Sequence, residues 1–421
     1  MKVTIIGGGS TYTPELIEGL ILNHKKIDLT DVVLMDIDTE RLEIVGEFAK
    51  RMAAHAKVPF TVTYTNNRSE AIDGADFVVT QIRVGQMPAR HKDILLGLRH
   101  DLIGQETTGV GGFAKALRTI PAMVEIAKDI QKHAPNAWLI NFTNPSGLIT
   151  EALHRAGIKK LVGLCNIPIG VVMDLAKHLK CEPDRIKIDY VGLNHLSWAR
   201  HVWLDGVEIT ERLIKELGSK GGPANIPELD YGEDFVKSLG FLPSPYLRYF
   251  YATDHMLDEL KAKDKTRAEE VMEVEEALLK KYADESIVTK PPELEKRGGA
   301  FYSKIAIDLL DAIWNDKREM HIVNIPNKGA IDGIGFDQTV EIPAILGRNG
   351  SQPIHVGEVE PEIMGLMQQV KAYETLAAQA GLEKSYQKAF MALVAHPLCP
   401  ANKAKAVLDD IIETHNIELM K

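Results

Sequence analysis

The chain of 421 residues is long enough for two or three domains, or for one large α/β body with an attached half. Its content of 45% hydrophobic and 26% charged residues is that of a globular protein, and no apolar run approaches the length of a membrane span. A net charge of −10 without a Lys/Arg-rich tract argues against non-specific nucleic-acid binding, although a few local arginines would still hold an anionic ligand.

Chain order begins with Val3–Ile6, a β-branched run that predicts a buried strand, ending in Gly7, Gly8 and Gly9. Thr13-Pro14-Glu15 then reads as a helix start, with a capping hydroxyl, an early proline and an acid in the first turn; this helix should reach Asn23. Val32–Met35 predicts a second strand with Asp36 at its end, and Glu40–Ala54 a helix. Phe77–Gln81 and Trp138–Phe142 read as strands, Thr119–His133 as a helix between them, and Leu161–Leu164 as one more strand. This alternation predicts a doubly wound parallel sheet of Rossmann type over residues 1–190.

Residues 191–421 are less regular and read as a C-terminal α+β domain that handles substrate and assembly. Ile186–Val191 and Ala199–Leu204 should be strands flanking Asn194-His195, with a turn at Asp205-Gly206. Thr266–Tyr282, Ile305–Trp314 and Glu360–Ala380 read as helices, and Lys220–Pro245, rich in Gly and Pro, as loop.

Gly7-x-Gly9 between a strand and a helix is the turn that admits a dinucleotide diphosphate, with Ser10 and Thr11 beside it. Asp36 is placed for the ribose hydroxyls, which favours NAD over NADP. Cys165 and His195 each follow a strand and neighbour an asparagine. Each reads either as a buried structural residue or as a ligand of a divalent ion whose other positions go to substrate oxygens and water. Asn141–Gly147 offers amides near a nicotinamide, or is a turn held by its own side chains. Gly104–Gly112 is a lid or merely a loop. Arg83, Arg90, Arg267 and Arg297 are candidates for an anionic group, and composition assigns Tyr246 to core packing. Three cysteines, Cys165, Cys181 and Cys399, form no disulfide framework, and with no signal segment this predicts a cytoplasmic protein.

Taken in order, Gly7–Glu15, Gly104–Gly112, Asn144–Gly147, Cys165–Pro168, Gly192–His195, Pro245–Arg248 and His396-Pro397 resemble glycoside hydrolase family 4 along essentially the whole chain. Cys165-Asn166-Ile167-Pro168 is most similar to the 6-phospho-β-glucosidase branch, with a family 4 α-glycosidase or a plain hydroxy-acid dehydrogenase as alternatives. The resemblance implies NAD and a divalent metal, usually Mn2+, and an overall fold like that of lactate and malate dehydrogenases. It also implies a phosphorylated sugar as substrate and a homodimer or homotetramer. By the same resemblance, Cys165 and His195 match metal ligands, Tyr246 the catalytic base, and Glu106 an acid that supports it. Arg90 and Arg267 match phosphate contacts, and Asn144 and Asn166 lie near the sugar. The implied reaction is oxidation at C3, deprotonation at C2, loss of the aglycone, water addition and re-reduction. This makes the C2 proton acidic before the glycosidic bond breaks.

Overall fold

Short β-branched segments separated by helices pair side by side in the computed structural model, which describes residues 1–217, 226, 229, 231–297 and 301–420. The strands of the first half are β1 (Lys2–Ile6), β2 (Asp31–Met35), β3 (Thr61–Thr65), β4 (Phe77–Thr80), β5 (Trp138–Asn141) and β6 (Leu161–Gly163). They are parallel and lie in the order β3-β2-β1-β4-β5-β6, with the order reversing between β1 and β4. A crevice at such a reversal, outside the carboxyl ends of the strands, is where doubly wound sheets take their ligands. Every residue of β4 and β5 is buried, because helices cover both faces; this explains their unbroken apolar runs.

A two-residue turn, Asn194-His195, joins β7 (Ile186–Leu193) to β8 (Leu196–Leu204) in a separate antiparallel sheet. The strands β9 (Val207–Glu208) and β10 (Leu242–Pro243) flank β8, and Asp205 and Gly206 form the β8–β9 turn with positive φ at both. Three further strands, β11 (Glu319–Pro326), β12 (Thr339–Gly347) and β13 (Gly350–Pro353), extend the first sheet antiparallel beyond β6, giving nine strands in all. The two halves of the chain thus share one sheet.

Several expectations change in detail. The first helix is Thr13–Asn23, but Tyr12 is its cap residue and Thr13 is not; the Thr13 hydroxyl donates to the Gly8 carbonyl at 2.9 Å, tying the helix to the glycine turn. The helix expected from Thr119 begins at Val110 and carries Pro121 inside it. Within Lys220–Pro245, positions 220–225, 227, 228 and 230 lie outside the described residues; the rest is not all loop, since Glu233–Leu239 is helical and β10 follows. Thr266 caps the helix Arg267–Ala283 in a reciprocal box with Glu269. Among the described residues no helix is long and apolar enough to cross a membrane.

Candidate active site

The crevice between β1 and β4 opens into a cavity of about 1150 Å³. On one part of its wall stand Gly7, Gly9, Ser10 and Asp36. Gly7 has φ +92, and a Cβ there would meet the Gln81 carbonyl oxygen at 2.9 Å; a Cβ on Gly9 would come within 3.0 Å of Asp36. The turn is therefore glycine because the chain passes another strand end so closely, and it leaves bare backbone facing the cavity. Asp36 Oδ2 accepts from the Gly9 N–H at 2.9 Å, so the acid and the turn are fixed together. Thr11 is fully buried and does not line the cavity; its hydroxyl serves Arg297 and Glu275 behind the turn.

Asn144, Asn166, His195, Tyr246, Arg90, Arg267 and Glu106 line the same cavity. His195 occupies a left-handed conformation, φ 64, in the β7–β8 turn, an uncommon choice for a non-glycine residue that aims its ring inward. The Thr107 hydroxyl donates to Gln105 Oε1 at 2.8 Å and so accepts from His195 Nδ1 at 2.7 Å, which leaves Nε2 with its lone pair for a cation. Burial pushes the imidazole down to about 3, so the ring is neutral, the form that ligates metals. Tyr246 lies flat on His195, with ring centres 3.7 Å apart and planes 7° from parallel. It sits in the short helical turn Pro245–Leu247 and is part of the cavity wall as well as core.

Cys165 is 2% exposed and lies just behind the lining. Burial, with Glu341 adding to it, pushes its thiol well above the ordinary range. A cation would have to displace that proton, as metal binding to cysteine does. Asn194 ties the pieces together: its amide donates to Glu341 at 3.0 Å, its side chain hydrogen-bonds the Cys165 sulfur, and its carbonyl accepts from the Gly147 N–H at 3.4 Å. No cluster of three or more His, Cys, Asp or Glu residues suited to a metal occurs among the described residues. A cation held by Cys165 and His195 would thus keep positions for ligand oxygens, and this soft–borderline donor pair suits a divalent transition metal. Asn144 Oδ1 and Arg90 Nε are buried without partners among the described residues, polar atoms that a bound ligand would satisfy.

Glu106 is clasped by three cations: it is ion-paired to Arg83, to Arg90 at 3.1 Å and to Lys115 at 3.0 Å. Burial alone would raise its carboxyl, but these cations hold it well below the usual carboxylate range. The loop that carries it is no loose lid, because Gln105 Oε1 accepts from the Thr107 and Thr108 N–H groups and buried His396 hydrogen-bonds the Gly109 backbone. Arg267, the first residue of its helix, pairs with Glu270 at 2.9 Å. Arg297 is directed to the glycine turn, away from this cluster.

Sequence reasoning missed Lys115, Thr107, Glu275 and Tyr302, all cavity residues. Lys115 did carry a signal, since it lies inside an otherwise apolar helical stretch, Val110–Leu117, where a lysine is rarely buried without a partner. Tyr302 stands edge-on to Tyr12 with ring centres 6.1 Å apart and hydrogen-bonds Asn144; nothing local in the sequence marks it.

The arrangement can seat a dinucleotide, a divalent cation and an anionic ligand around one tyrosine. Residues 2–181 match the model of the family 4 glycosyl hydrolases, and residues 190–399 that of the family 4 glycosyl hydrolase C-terminal domain. A probable 6-phospho-beta-glucosidase of Bacillus subtilis (strain 168) is 45% identical, with 100% of this chain and 97% of that protein covered. The 6-phospho-beta glucosidase of Thermotoga maritima, solved with manganese, NAD+ and glucose-6-phosphate, superposes with a TM-score of 0.92 at 35% identity, covering 100% of this chain and 99% of that one. The malate dehydrogenase of Aeropyrum pernix, at 12% identity, TM-score 0.55 and 90% and 97% coverage, shares the fold alone. The chain belongs to glycosyl hydrolase family 4.

Proposed function

We infer that this chain is an NAD- and divalent-metal-dependent 6-phospho-β-glucosidase, with Mn2+ the cation favoured by its relative's complex. One observation carries the reading: a single cavity is lined by the glycine turn, His195, Tyr246 and the arginines, with Cys165 directly behind. When bound, the dinucleotide supplies reversible hydride removal at C3 and the cation polarises the ketone so formed.

The chain's own residues do the rest. Gly7, Gly9 and Ser10 admit the dinucleotide diphosphate, Asp36 takes the ribose hydroxyls, and Asn144 reaches the nicotinamide side of the sugar. Cys165 Sγ and His195 Nε2 would hold the cation, with Thr107 fixing the imidazole tautomer. Tyr246, as tyrosinate, removes the C2 proton; the Arg90 guanidinium within electrostatic reach of its oxygen favours that anion. Loss of the aglycone, water addition and return of the hydride complete a net hydrolysis. Arg90 and Arg267 bind the 6-phosphate, Asn166 orients the sugar, and Glu106 keeps the cations of the site in register. The same reading takes residues 1–190 as the dinucleotide half and 191–421 as the half that completes the substrate pocket and assembles the protein as a cytoplasmic homodimer or homotetramer.

Turnover of a 6-phospho-β-glucoside in D2O tests the chemistry. Deuterium at C2 of the released glucose 6-phosphate is the expected result; its absence, or accumulation of NADH in place of sugar release, overturns the reading. Tyr246→Phe should abolish C2 exchange, and cleavage of the α-anomer alone would move the chain to the α-specific branch.

A further inference from the structure

Helix Arg267–Ala283 and the turn Pro292–Arg297 bring second-half side chains onto the glycine turn. Glu275 sits at the centre, 9% exposed, with Arg41 on one carboxylate oxygen at 3.2 Å and Arg297 on the other at 3.2 Å. Both arginines reach the turn itself. Arg41 Nε donates to the Gly9 carbonyl at 3.4 Å, Arg297 Nε to the Thr11 hydroxyl at 2.7 Å, and Arg297 Nη2 to the Ser10 hydroxyl at 3.4 Å. The Arg297 guanidinium also lies over the Tyr12 ring, 5.7 Å from its centre. The two arginines and Glu275 line the same cavity as Gly9 and Ser10. Within this trio one carboxylate between two guanidiniums leaves one positive charge over, beside the turn where a diphosphate would rest, while the Asp36 carboxylate is held on the Gly9 N–H.

We propose that Arg297 and Arg41, oriented by Glu275, form a clamp from across the chain that closes on the diphosphate of the dinucleotide and holds it between turnovers. The inference rests on the dinucleotide reading above and deepens it. In the proposed cycle the hydride leaves and returns within one turnover, so the cofactor ends in its starting oxidation state and need not exit. A dehydrogenase must release its reduced cofactor every cycle. A grip made from both halves of the chain suits the first case, because it slows dissociation at no cost to throughput.

The test titrates the full-length protein, and its Arg297→Ala, Arg297→Lys and Glu275→Gln variants, with ADP-ribose, adenosine and glucose 6-phosphate. Arg297→Ala should weaken ADP-ribose binding roughly tenfold or more, mainly through faster dissociation, since each lost charged hydrogen bond is worth about that factor. Adenosine, which lacks phosphate, and glucose 6-phosphate should bind within about twofold of the unaltered protein. Arg297→Lys should recover part of the loss by keeping charge without the fork, and Glu275→Gln should weaken ADP-ribose by loosening both guanidiniums. ADP-ribose affinity unchanged in Arg297→Ala, or an equal loss for adenosine, overturns the clamp. Unaltered protein that fails to bind ADP-ribose overturns the dinucleotide reading and the clamp with it.

Discussion

Two carboxylates on the cavity wall are each surrounded by cations, yet they are built differently. Glu106 and its partners Arg83, Arg90 and Lys115 come from one stretch of the first half, and Arg90 and Lys115 have side chains only 8% and 3% exposed. Glu275 joins Arg41 from the first half to Arg297 from the second, and those side chains are 22% and 18% exposed. The first cluster is a desolvated store of positive charge that depends on its one carboxylate. The second is a bridge between distant segments whose cations can turn toward water. Burial of the partner cations, not of the carboxylates themselves, sets how much each carboxylate matters to the fold, and chain origin sets what each can couple.

The sharpest break of this comparison is Glu106→Ala, which strands buried cations and should cost about 3–5 kcal/mol in urea unfolding. Glu275→Ala should cost roughly 1–2 kcal/mol in the same assay, because Arg41 and Arg297 can rehydrate. Equal losses at the two sites would refute the distinction. Arg267→Ala should raise the KM for the phosphorylated sugar roughly tenfold and leave ADP-ribose affinity alone, separating the two anion sites by ligand. The last effect, mildest near neutrality, is one of pH. Burial pushes His396, which accepts from the Leu398 N–H at 3.0 Å, down to about 3, whereas an unfolded histidine titrates near 6.5. The unfolded chain therefore binds more protons between those values. Stability from this group is full above pH 6.5 and falls as the pH drops toward 3, by about 1 kcal/mol at pH 6. Glu275, held below the ordinary carboxylate range despite its burial, loses its contribution only below about pH 4.5. His396→Asn should make the stability slope between pH 6.5 and 4.5 shallower without abolishing it, since buried His195 and His154 are also held well below an unfolded histidine. Urea unfolding at stepped pH measures this, and Glu275→Gln should leave the slope intact.

Most of the parallel sheet was legible because its strands are short, β-branched and end in motif residues. Strand Thr61–Thr65 escaped because only Val62 of its five side chains is buried, so it carries no apolar run. The antiparallel extension was harder still. Glu319–Pro326 is polar at its start and pairs with β6 only at Asn324–Gly163, a contact that no local pattern announces. At the site, the glycine turn, Asp36, Cys165 and His195 stood out because each sits where a strand ends. Glu275 and Tyr302 did not, since each lies in an ordinary amphipathic helix and acquires its meaning only from what folds against it.

The shared sheet has one more consequence. With β11 laid against β6, the described residues of the two halves are joined through one sheet, and an opening like that of a clam along this join would tear strand from strand at Asn324 and Gly163. A Cβ on Gly163 would meet the Thr150 hydroxyl at 2.2 Å and Asn324 at 2.9 Å, so the join tolerates no added bulk. Cys165 follows two residues later. Grafting the later half of a relative onto this one would therefore shift the sulfur unless the graft also reproduced that junction.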